Sequence, residues 1–229
     1  MSQPLAGRKI AVLVEHKFIP EEIEAYRTDF SALGAEVEFV SRLRYGTYRP
    51  ESATFYSDVD PLDNAPADPP VPLEVRRDVE ELEAQLDDYA AVIMSANYTS
   101  VRLRFSGLPR DSFADLTPAD IASFDPRAHT QQPPVVALFA RAMEKRRRVK
   151  GALCHGLWVL TPNPHLLRGR KVICHSVVMA DILNCDATVV LNTAGVVTDD
   201  DLVTGFSKHE VRPFIDAVAA RIVSLCLSA

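Results

Sequence analysis

The fold of this chain is decided by residues 149–160, whose sequence is VKGALCHGLWVL. A short apolar run with small residues leads into Cys154, His155 and Gly156, and an apolar stretch that favours a helix follows. This pattern predicts a buried strand, a sharp turn that carries the cysteine, and a helix. Backbone N–H groups and the helix dipole at such a turn favour a thiolate, which is a good nucleophile. The alternative is a buried structural cysteine, since free cysteine is among the most buried residue types.

The beginning of the chain predicts a parallel sheet. Residues 9–14 (KIAVLV) and 90–95 (AAVIMS) are almost entirely apolar, as in strands that are buried on both faces. An acid-rich helical stretch over 21–33 is closed by Gly34, and residues 35–40 alternate as a second strand would. A strand, a short helical crossover and a strand predict parallel pairing with a right-handed connection.

The rest of the chain continues this α/β pattern. Further helices are predicted over 73–88, 135–148, 177–183 and 209–227, and further strands over 54–59, 187–191 and 196–204, the last with a turn at Asp199-Asp200-Asp201. Two insertions with many turn signals, at about 42–72 and 104–134, interrupt the pattern. We therefore predict one domain over residues 1–229, with the insertions as excursions from it.

The composition favours a folded protein whose partner is a small molecule. A net charge of −6 argues against nucleic acid or an anionic membrane as the main partner. No apolar stretch approaches membrane-spanning length, and the N-terminus lacks the apolar core of a signal peptide. The four cysteines show no C-x-x-C spacing, which indicates a reduced, cytoplasmic compartment.

A nucleophilic cysteine needs groups that accept or donate protons. His155 follows Cys154 directly and is either an acid/base toward substrate or a turn residue bonded to the backbone. Four carboxylates follow the first strand, where the crevice of an open α/β sheet lies: Glu15, Glu21, Glu22 and Glu24. A carboxyl group near a thiol can shuttle its proton, whereas an acid in the first turn of a helix is more often only a dipole partner.

A second Cys-His pair, Cys174-His175, raises the question of a metal site. Its spacing to Cys154 and His155 matches no structural zinc signature, and neighbours on a strand face opposite sides of the sheet. We therefore expect no metal and no cofactor.

The chain resembles the ThiJ/PfpI superfamily, which has a flavodoxin-like three-layer sandwich with a class I glutamine amidotransferase-like core. Three segments carry the resemblance: residues 9–40, the turn that carries the cysteine at 152–156 (called the elbow below), and the C-terminal third from 166 onward. The elbow is the most specific match, and the two insertions are not covered. The fold implied is α/β, with a mostly parallel sheet and helices on both faces.

The resemblance also implies roles for particular residues. Cys154 matches the family's reactive cysteine, and His155 matches the histidine that follows it. Counting back from the Gly34 turn places Glu22 on the family's conserved glutamate, which contacts the cysteine sulfur, and so favours Glu22 over Glu15 and Glu21.

One departure from the family concerns the strand end near the cysteine. Many members carry a Gly-Gly pair there, whereas this chain has Ser95-Ala96-Asn97-Tyr98. The amide of His155 still fits an oxyanion-binding role, and the Asn97 side chain could supply a second donor. We expect Ser95, Asn97, Tyr98 and Glu15 to contact substrate.

The family includes glyoxalase III-like and deglycase enzymes, isonitrile hydratases, proteases or amidases, and stress or chaperone-like proteins, and fold alone does not choose among them. Our first expectation is a cysteine-dependent enzyme that converts a small aldehyde through a hemithioacetal. A hydratase or hydrolase using the same cysteine comes second, and a non-enzymatic redox sensor or interaction module third. The resemblance also implies a homodimer. Among the aromatic residues, Tyr48, Phe55, Tyr98 and Phe105 either line the mouth of the pocket or pin the insertions to the core.

Cys154 should react with an alkylating agent at a lower pH than an ordinary cysteine, because the elbow favours its thiolate. The measurement is the alkylation rate against pH in a variant whose other three cysteines are serine. A titration midpoint near the ordinary thiol pKa of about 8.5 would count against the elbow.

Overall fold

A central sheet of seven strands organises the protein. The computed structural model describes residues 3–44, 47–57, 70–106 and 115–227. The strands are β1 (Lys9–Leu13), β2 (Glu36–Ser41), β3 (Ala53–Tyr56), β4 (Pro72–Val75), β5 (Arg77–Asp78), β6 (Tyr89–Met94), β7 (Val149–Leu153), β8 (Lys171–Val172), β9 (Thr188–Val189), β10 (Val196–Asp199) and β11 (Leu202–Gly205). The α-helices are α1 (Pro20–Ala32), α2 (Val79–Ala84), α3 (Thr99–Leu103), α4 (Pro118–Ser123), α5 (Pro126–Gln131), α6 (Pro134–Glu144), α7 (Met179–Leu183) and α8 (Val211–Leu227).

The order of the central sheet is β10-β11-β7-β6-β1-β2-β5. All neighbours pair in parallel except β10 and β11, which form an antiparallel hairpin at one edge. Two further pairs lie outside this sheet, β3 with β4 and β8 with β9. The predicted α/β class and the parallel opening of the chain are therefore confirmed.

Helices cover both faces of this sheet. Alternate residues of β1 point to opposite sides, so that Ala11 and Leu13 belong to one apolar core and Ile10 and Val12 to the other. The first core is completed by α2 and α6, and the second by α1 and α8. This is the three-layer sandwich that the resemblance implied. Among the described residues, no helix is long and apolar enough to cross a membrane.

The prediction of one helix over 73–88 is wrong. The segment begins with β4, continues through β5 and forms only the short helix α2. Leu73 and Val75 alternate with exposed residues and pack against β3, which the sequence places in the first insertion. The Asp78 side chain then caps α2 at Glu80 and also accepts hydrogen bonds from the amides of Leu43 and Arg44. Pairing with β3 from the first insertion therefore makes residues 72–75 a strand instead of part of a helix.

The helix predicted over 135–148 is shorter than expected. It ends at Glu144, and the basic run 145–148 forms the turn into β7. The apolar residues of this helix form its buried face: Val135, Val136, Leu138, Phe139 and Met143.

The two insertions contain short elements of their own. Thr117 and Asp120 form a reciprocal capping box at the beginning of α4, as the sequence Thr117-Pro118-Ala119-Asp120 favours. The first insertion contributes β3, close to the strand predicted over 54–59. Residues 45–46 and 58–69 of the first insertion and 107–114 of the second lie outside the described residues.

A buried ion pair joins β7 to the hairpin at the sheet edge. Lys150 and Asp201 are almost completely buried, and Lys150 Nζ lies 2.5 Å from Asp201 Oδ2. Burial lowers the pKa of Lys150, and the bond to Asp201 opposes that change. Arg170 Nη2 donates to the other Asp201 oxygen at 2.8 Å.

Replacing Asp201 with Asn should lower the free energy of unfolding by about 3–5 kcal/mol, because Lys150 would remain buried without its counter-charge. Urea unfolding measures the change. The matched control is Asp200→Asn, since Asp200 is half exposed and pairs with Arg221 at the surface, and its loss should cost less than about 1 kcal/mol. Equal effects of the two substitutions would show that the buried pair has no special weight.

Candidate active site

Cys154 lies directly after β7 in a strained backbone conformation. Its φ is 58°, in the left-handed region that non-glycine residues seldom adopt. The Cys154 amide donates to the carbonyl of Gly205 at 2.8 Å, and the Cys154 carbonyl accepts from the amide of His175 at 3.3 Å. The side chain is 7% exposed. Neighbouring segments on both sides therefore hold the cysteine at a sharp turn, as the sequence predicted.

The segment after the turn differs from the prediction. A single 3₁₀ turn, Gly156–Val159, replaces the expected α-helix, and a second 3₁₀ turn, Pro164–Leu166, follows. Pro162 and Pro164 supply no backbone N–H and prevent a longer helix. One 3₁₀ turn has a smaller dipole than a full helix, so stabilisation of a thiolate has to depend more on nearby side chains.

Gly156 is required by the close approach of two backbones. A Cβ atom at this position would lie 2.9 Å from the Met94 carbonyl oxygen and 3.2 Å from the Ala152 Cβ. The turn therefore packs directly on the end of β6. This contact fixes the height of Cys154 above the sheet.

The His155 ring lies beside the sulfur. Cys154 Sγ is 3.7 Å from His155 Nδ1, so the neighbouring histidine does reach the thiol. The ring is stacked on Trp158, with centroids 5.2 Å apart and planes 14° apart, and it also stacks on Tyr98 at 5.0 Å. The Ser100 hydroxyl donates to the His155 carbonyl at 2.9 Å. These contacts fix the orientation of the imidazole.

Trp158 is itself anchored from two sides. Its indole N–H donates to Asp181 Oδ2 at 2.6 Å, and the Arg104 guanidinium lies over the ring, 5.4 Å from its centroid. Helix α7 and the start of the second insertion therefore support the ring on which His155 is stacked.

A second histidine, His175, lies next to the first. The His155 and His175 ring centroids are 4.9 Å apart in an edge-to-face arrangement, and Phe206 flanks His175 at 5.6 Å. His175 Nδ1 accepts a hydrogen bond from the Val177 amide at 3.3 Å. His175 is partly exposed while Cys174 is fully buried. Sequence reasoning missed His175, and the repeated Cys-His pair was the only signal for it.

Within the described ranges, no group of three or more His, Cys, Asp or Glu side chains is arranged to hold a metal ion.

Glu22 lies in the first turn of α1 and is fully buried. Its two carboxyl oxygens accept hydrogen bonds from the Ala96 amide at 2.9 and 3.1 Å. Burial raises the pKa of Glu22 from 4.5 to about 7, although the Ala96 amide and the Tyr26 hydroxyl act in the opposite direction. A carboxyl group with this pKa can donate or accept a proton near neutral pH.

Tyr26 connects this carboxyl group to the cysteine. It lies one helical turn after Glu22, and burial raises its pKa well above the ordinary value, with further contributions from the charges of Glu22 and Cys154. Its hydroxyl is close to the Glu22 carboxyl group but makes no hydrogen bond of normal geometry within the described residues. Glu22, Tyr26 and Cys154 therefore share one buried cluster. The i, i+4 spacing of Glu22 and Tyr26 was a signal that sequence reasoning did not use.

The other carboxylates lie elsewhere. Glu21 and Glu24 are exposed on α1. Glu15 is buried, accepts from the amide of His16 at 2.9 Å and lies 3.6 Å from Arg102 Nε. It borders a cavity of about 400 Å³ that Arg42, Val101, Arg102 and Phe105 complete. Of the four acids, Glu22 is the one found in the cluster with Cys154.

The loop after β6 shows how the chain replaces the family's glycines. Asn97 has a φ of 64°, a conformation that glycine or asparagine adopts most readily. Its side-chain amide donates to the Lys17 carbonyl at 2.7 Å and so ties this loop to the one after β1. The Ser95 hydroxyl bonds with Thr99 within its own turn. The substrate contacts expected for Ser95, Asn97 and Glu15 stay predictions.

The four aromatic residues expected near the mouth lie in different places. Tyr98 stacks on His155 and is therefore at the site. Phe55 is buried against His16 and pins β3 to the core. Tyr48 and Phe105 are largely exposed.

The fold and the site define an α/β protein with a cysteine at the sharp turn after a central strand. The family model for the DJ-1/PfpI family matches residues 125–221, which include Cys154, His155 and His175. No curated protein matches the chain by sequence.

Solved structures extend this likeness to nearly the whole chain. A two-domain protein with DJ-1/ThiJ/PfpI-like and ferritin-like domains from Anabaena variabilis is 18% identical with a TM-score of 0.67, and 94% of this chain spans 48% of that one, or about half its length. A ThiJ/PfpI domain protein from Brachyspira murdochii is 13% identical with a TM-score of 0.65, covering 96% of this chain and 98% of that one. A DJ-1 superfamily protein from Salmonella typhimurium is 20% identical with a TM-score of 0.63, covering 95% and 91%. The resemblance to the ThiJ/PfpI superfamily is confirmed by these matches together with the family model.

Replacing Glu22 with Gln should stabilise the protein increasingly as pH rises. Because the folded state favours the neutral carboxyl group, wild type loses stability as pH rises from about 4.5 to about 7. The free energy of unfolding of Glu22→Gln relative to wild type should therefore grow by about 3 kcal/mol between acid and alkaline pH. Urea unfolding at each pH measures this difference. The neighbouring Glu21→Gln is the control and should show no such trend, while a pH-independent effect of Glu22→Gln would contradict the raised pKa.

Proposed function

We propose that this protein is a cysteine-dependent enzyme that converts a small reactive aldehyde, of the 2-oxoaldehyde type, into a hydroxy acid. One observation carries the proposal. A strained, nearly buried cysteine with an imidazole nitrogen 3.7 Å from its sulfur shares a cluster with a carboxyl group whose pKa is raised to about 7. These are a nucleophile and two proton-transfer groups suited to neutral pH.

The first step forms a hemithioacetal. The Cys154 thiolate adds to the aldehyde carbon, a C–S bond forms, and the carbonyl oxygen takes up a proton. His155 is the proton donor, because its ring nitrogen lies beside the sulfur to which the substrate becomes attached. Of the oxyanion donors expected from the sequence, Asn97 already donates to the Lys17 carbonyl, so the His155 amide is assigned to the substrate oxygen.

The second step moves hydrogen within the bound substrate. Glu22 removes the proton from the carbon attached to sulfur, and the neighbouring ketone oxygen is protonated to give an enediol. Return of the proton to the second carbon gives a 2-hydroxy thioester, so one carbon is oxidised as its neighbour is reduced. Water then cleaves the C–S bond, which releases the hydroxy acid and restores the thiol. No external oxidant or reductant is needed.

The supporting residues have positioning roles in this proposal. Tyr26 lies close to both the Glu22 carboxyl group and the cysteine, and Trp158 holds the His155 ring. His175, partly exposed and edge-on to His155, is placed to contact the substrate or to pass a proton to water.

A substrate panel of methylglyoxal, isonitriles, amides and peptides tests the proposal. Methylglyoxal should be converted to lactate, and Cys154→Ser should abolish the conversion. Glu22→Gln should lower kcat about 100-fold or more with a small change in KM, because its role is proton transfer. Glu21→Gln, an exposed neighbour in the same turn, is the matched control and should behave as wild type.

Other outcomes of the panel would select other functions. Turnover of an isonitrile, amide or peptide instead of methylglyoxal would identify a hydratase or hydrolase that uses the same cysteine. Oxidation of Cys154 without turnover of any compound would identify a redox sensor. A crippled Glu15→Gln beside an active Glu22→Gln would overturn the assignment of the carboxyl group.

A further inference from the structure

A cavity of about 480 Å³ lies at the edge of the sheet opposite the cysteine. The segments that lead into β1, β6 and β7 form it, so it opens at the amino ends of the strands, whereas Cys154 follows the carboxyl end of β7. Its lining includes Arg8, Asp87, Asp88 and the basic run 145–148. The volume lies within the range of small-molecule sites.

The charges around this cavity are unbalanced. Five basic side chains line it, against the two carboxylates Asp87 and Asp88. Lys145 and Arg148 both pair with Asp87. The other three basic residues, Arg8, Arg146 and Arg147, form no ion pair with any described residue. The cavity therefore carries a positive excess in a protein whose net charge is −6.

Arg148 supplies a donor that the protein does not use. The residue is 6% exposed, its Nε donates to the Tyr89 carbonyl at 2.8 Å, and its Nη2 donates to Asp87 at 3.3 Å. Its Nη1 is buried and has no hydrogen-bond partner in the described part of the chain. A buried charged donor without an acceptor is unfavourable. Arg148 lines the cavity, so a turn of its guanidinium group toward an anion bound there would give this donor an acceptor.

The helix dipole does not account for this arrangement. Cations after α6 complement the negative end of that helix, and Lys145 at its C-cap does so. Arg8, however, comes from the segment before β1, and the Arg148 guanidinium is directed to Tyr89 at the start of β6 and to Asp87 just before it. Two separate segments thus bring basic groups to one cavity.

We propose that this cavity binds the phosphate group of a small phosphorylated molecule. A guanidinium group can donate two parallel hydrogen bonds to two oxygens of one phosphate group. A phosphate with two negative charges also balances the positive excess of the cavity better than a single carboxylate does. Arg148 is the buried anchor, and Arg146 and Arg147 close over the phosphate from the solvent side. The remaining volume accepts an organic group of the size of a sugar.

Isothermal titration calorimetry at constant ionic strength tests the proposal, with inorganic phosphate, glucose 6-phosphate and AMP as probes and glucose and citrate as controls. At least one phosphate ester should bind in a saturable way and raise the Tm. The Arg146→Gln/Arg147→Gln double variant, which alters only exposed side chains, should weaken binding about tenfold or more. Its matched control is Arg76→Gln/Arg168→Gln, with the same loss of charge at exposed sites outside the cavity, and it should bind as wild type does.

Several results would overturn the proposal: no saturable binding of any phosphate probe at millimolar concentration, tighter binding of citrate, or equal weakening by both double variants. Arg148→Lys adds a second test, because it keeps the charge but loses the paired geometry and should also weaken binding. The alkylation rate of Cys154 should be unchanged in the Arg146→Gln/Arg147→Gln variant. The outcome is therefore independent of the function proposed for the cysteine.

Discussion

The hydrogen bond from the Cys154 amide to the Gly205 carbonyl is the contact on which the rest of the site depends. It extends the pairing of β7 with β11 by one residue, past the point where the chain has to turn. The left-handed conformation of Cys154 is unfavourable by itself. It persists because the sheet fixes Leu153 on one side, and because Gly156 packs directly against Met94 on the other. With the backbone held in this way, the His155 ring lies between the Cys154 sulfur and the Trp158 ring.

The buried carboxyl group of Glu22 lowers the stability of the fold at pH values where it is ionised. A Gln or an apolar side chain would fill the same space without the desolvation of a charge. The Ala96 amide and the Tyr26 hydroxyl offset part of that desolvation, and the pKa of about 7 reflects what remains. Burial of Ile23 and Phe30 on the same face of α1 stabilises the fold and offsets the remaining desolvation of Glu22.

How far the sequence predicts this structure depends on the range of the interactions involved. The apolar runs of β1, β6 and β7 were sufficient by themselves to predict these strands. A strand that is buried on both faces can be recognised from its own sequence, without knowledge of its partner. The prediction of a helix over 73–88 was wrong, because β4 forms by pairing with β3 from the first insertion, and this partner is not visible in the local sequence. In the site, Cys154, His155 and Glu22 followed from a motif and a register count. Tyr26 and His175 did not, because their proximity to the cysteine is created by packing between elements distant in the chain.

The same Gly205 contact has a consequence for how the turn at Cys154 forms. Between Cys154 and Gly205 the chain must pass through β8, α7, β9 and the β10–β11 hairpin before the partner carbonyl is in place. Pairings that are distant in sequence form slowly, because the intervening chain must be ordered first. The left-handed turn at Cys154 can therefore form only once β11 has docked beside β7. Until then, the Cys154 backbone lacks one of the contacts that hold its unfavourable conformation.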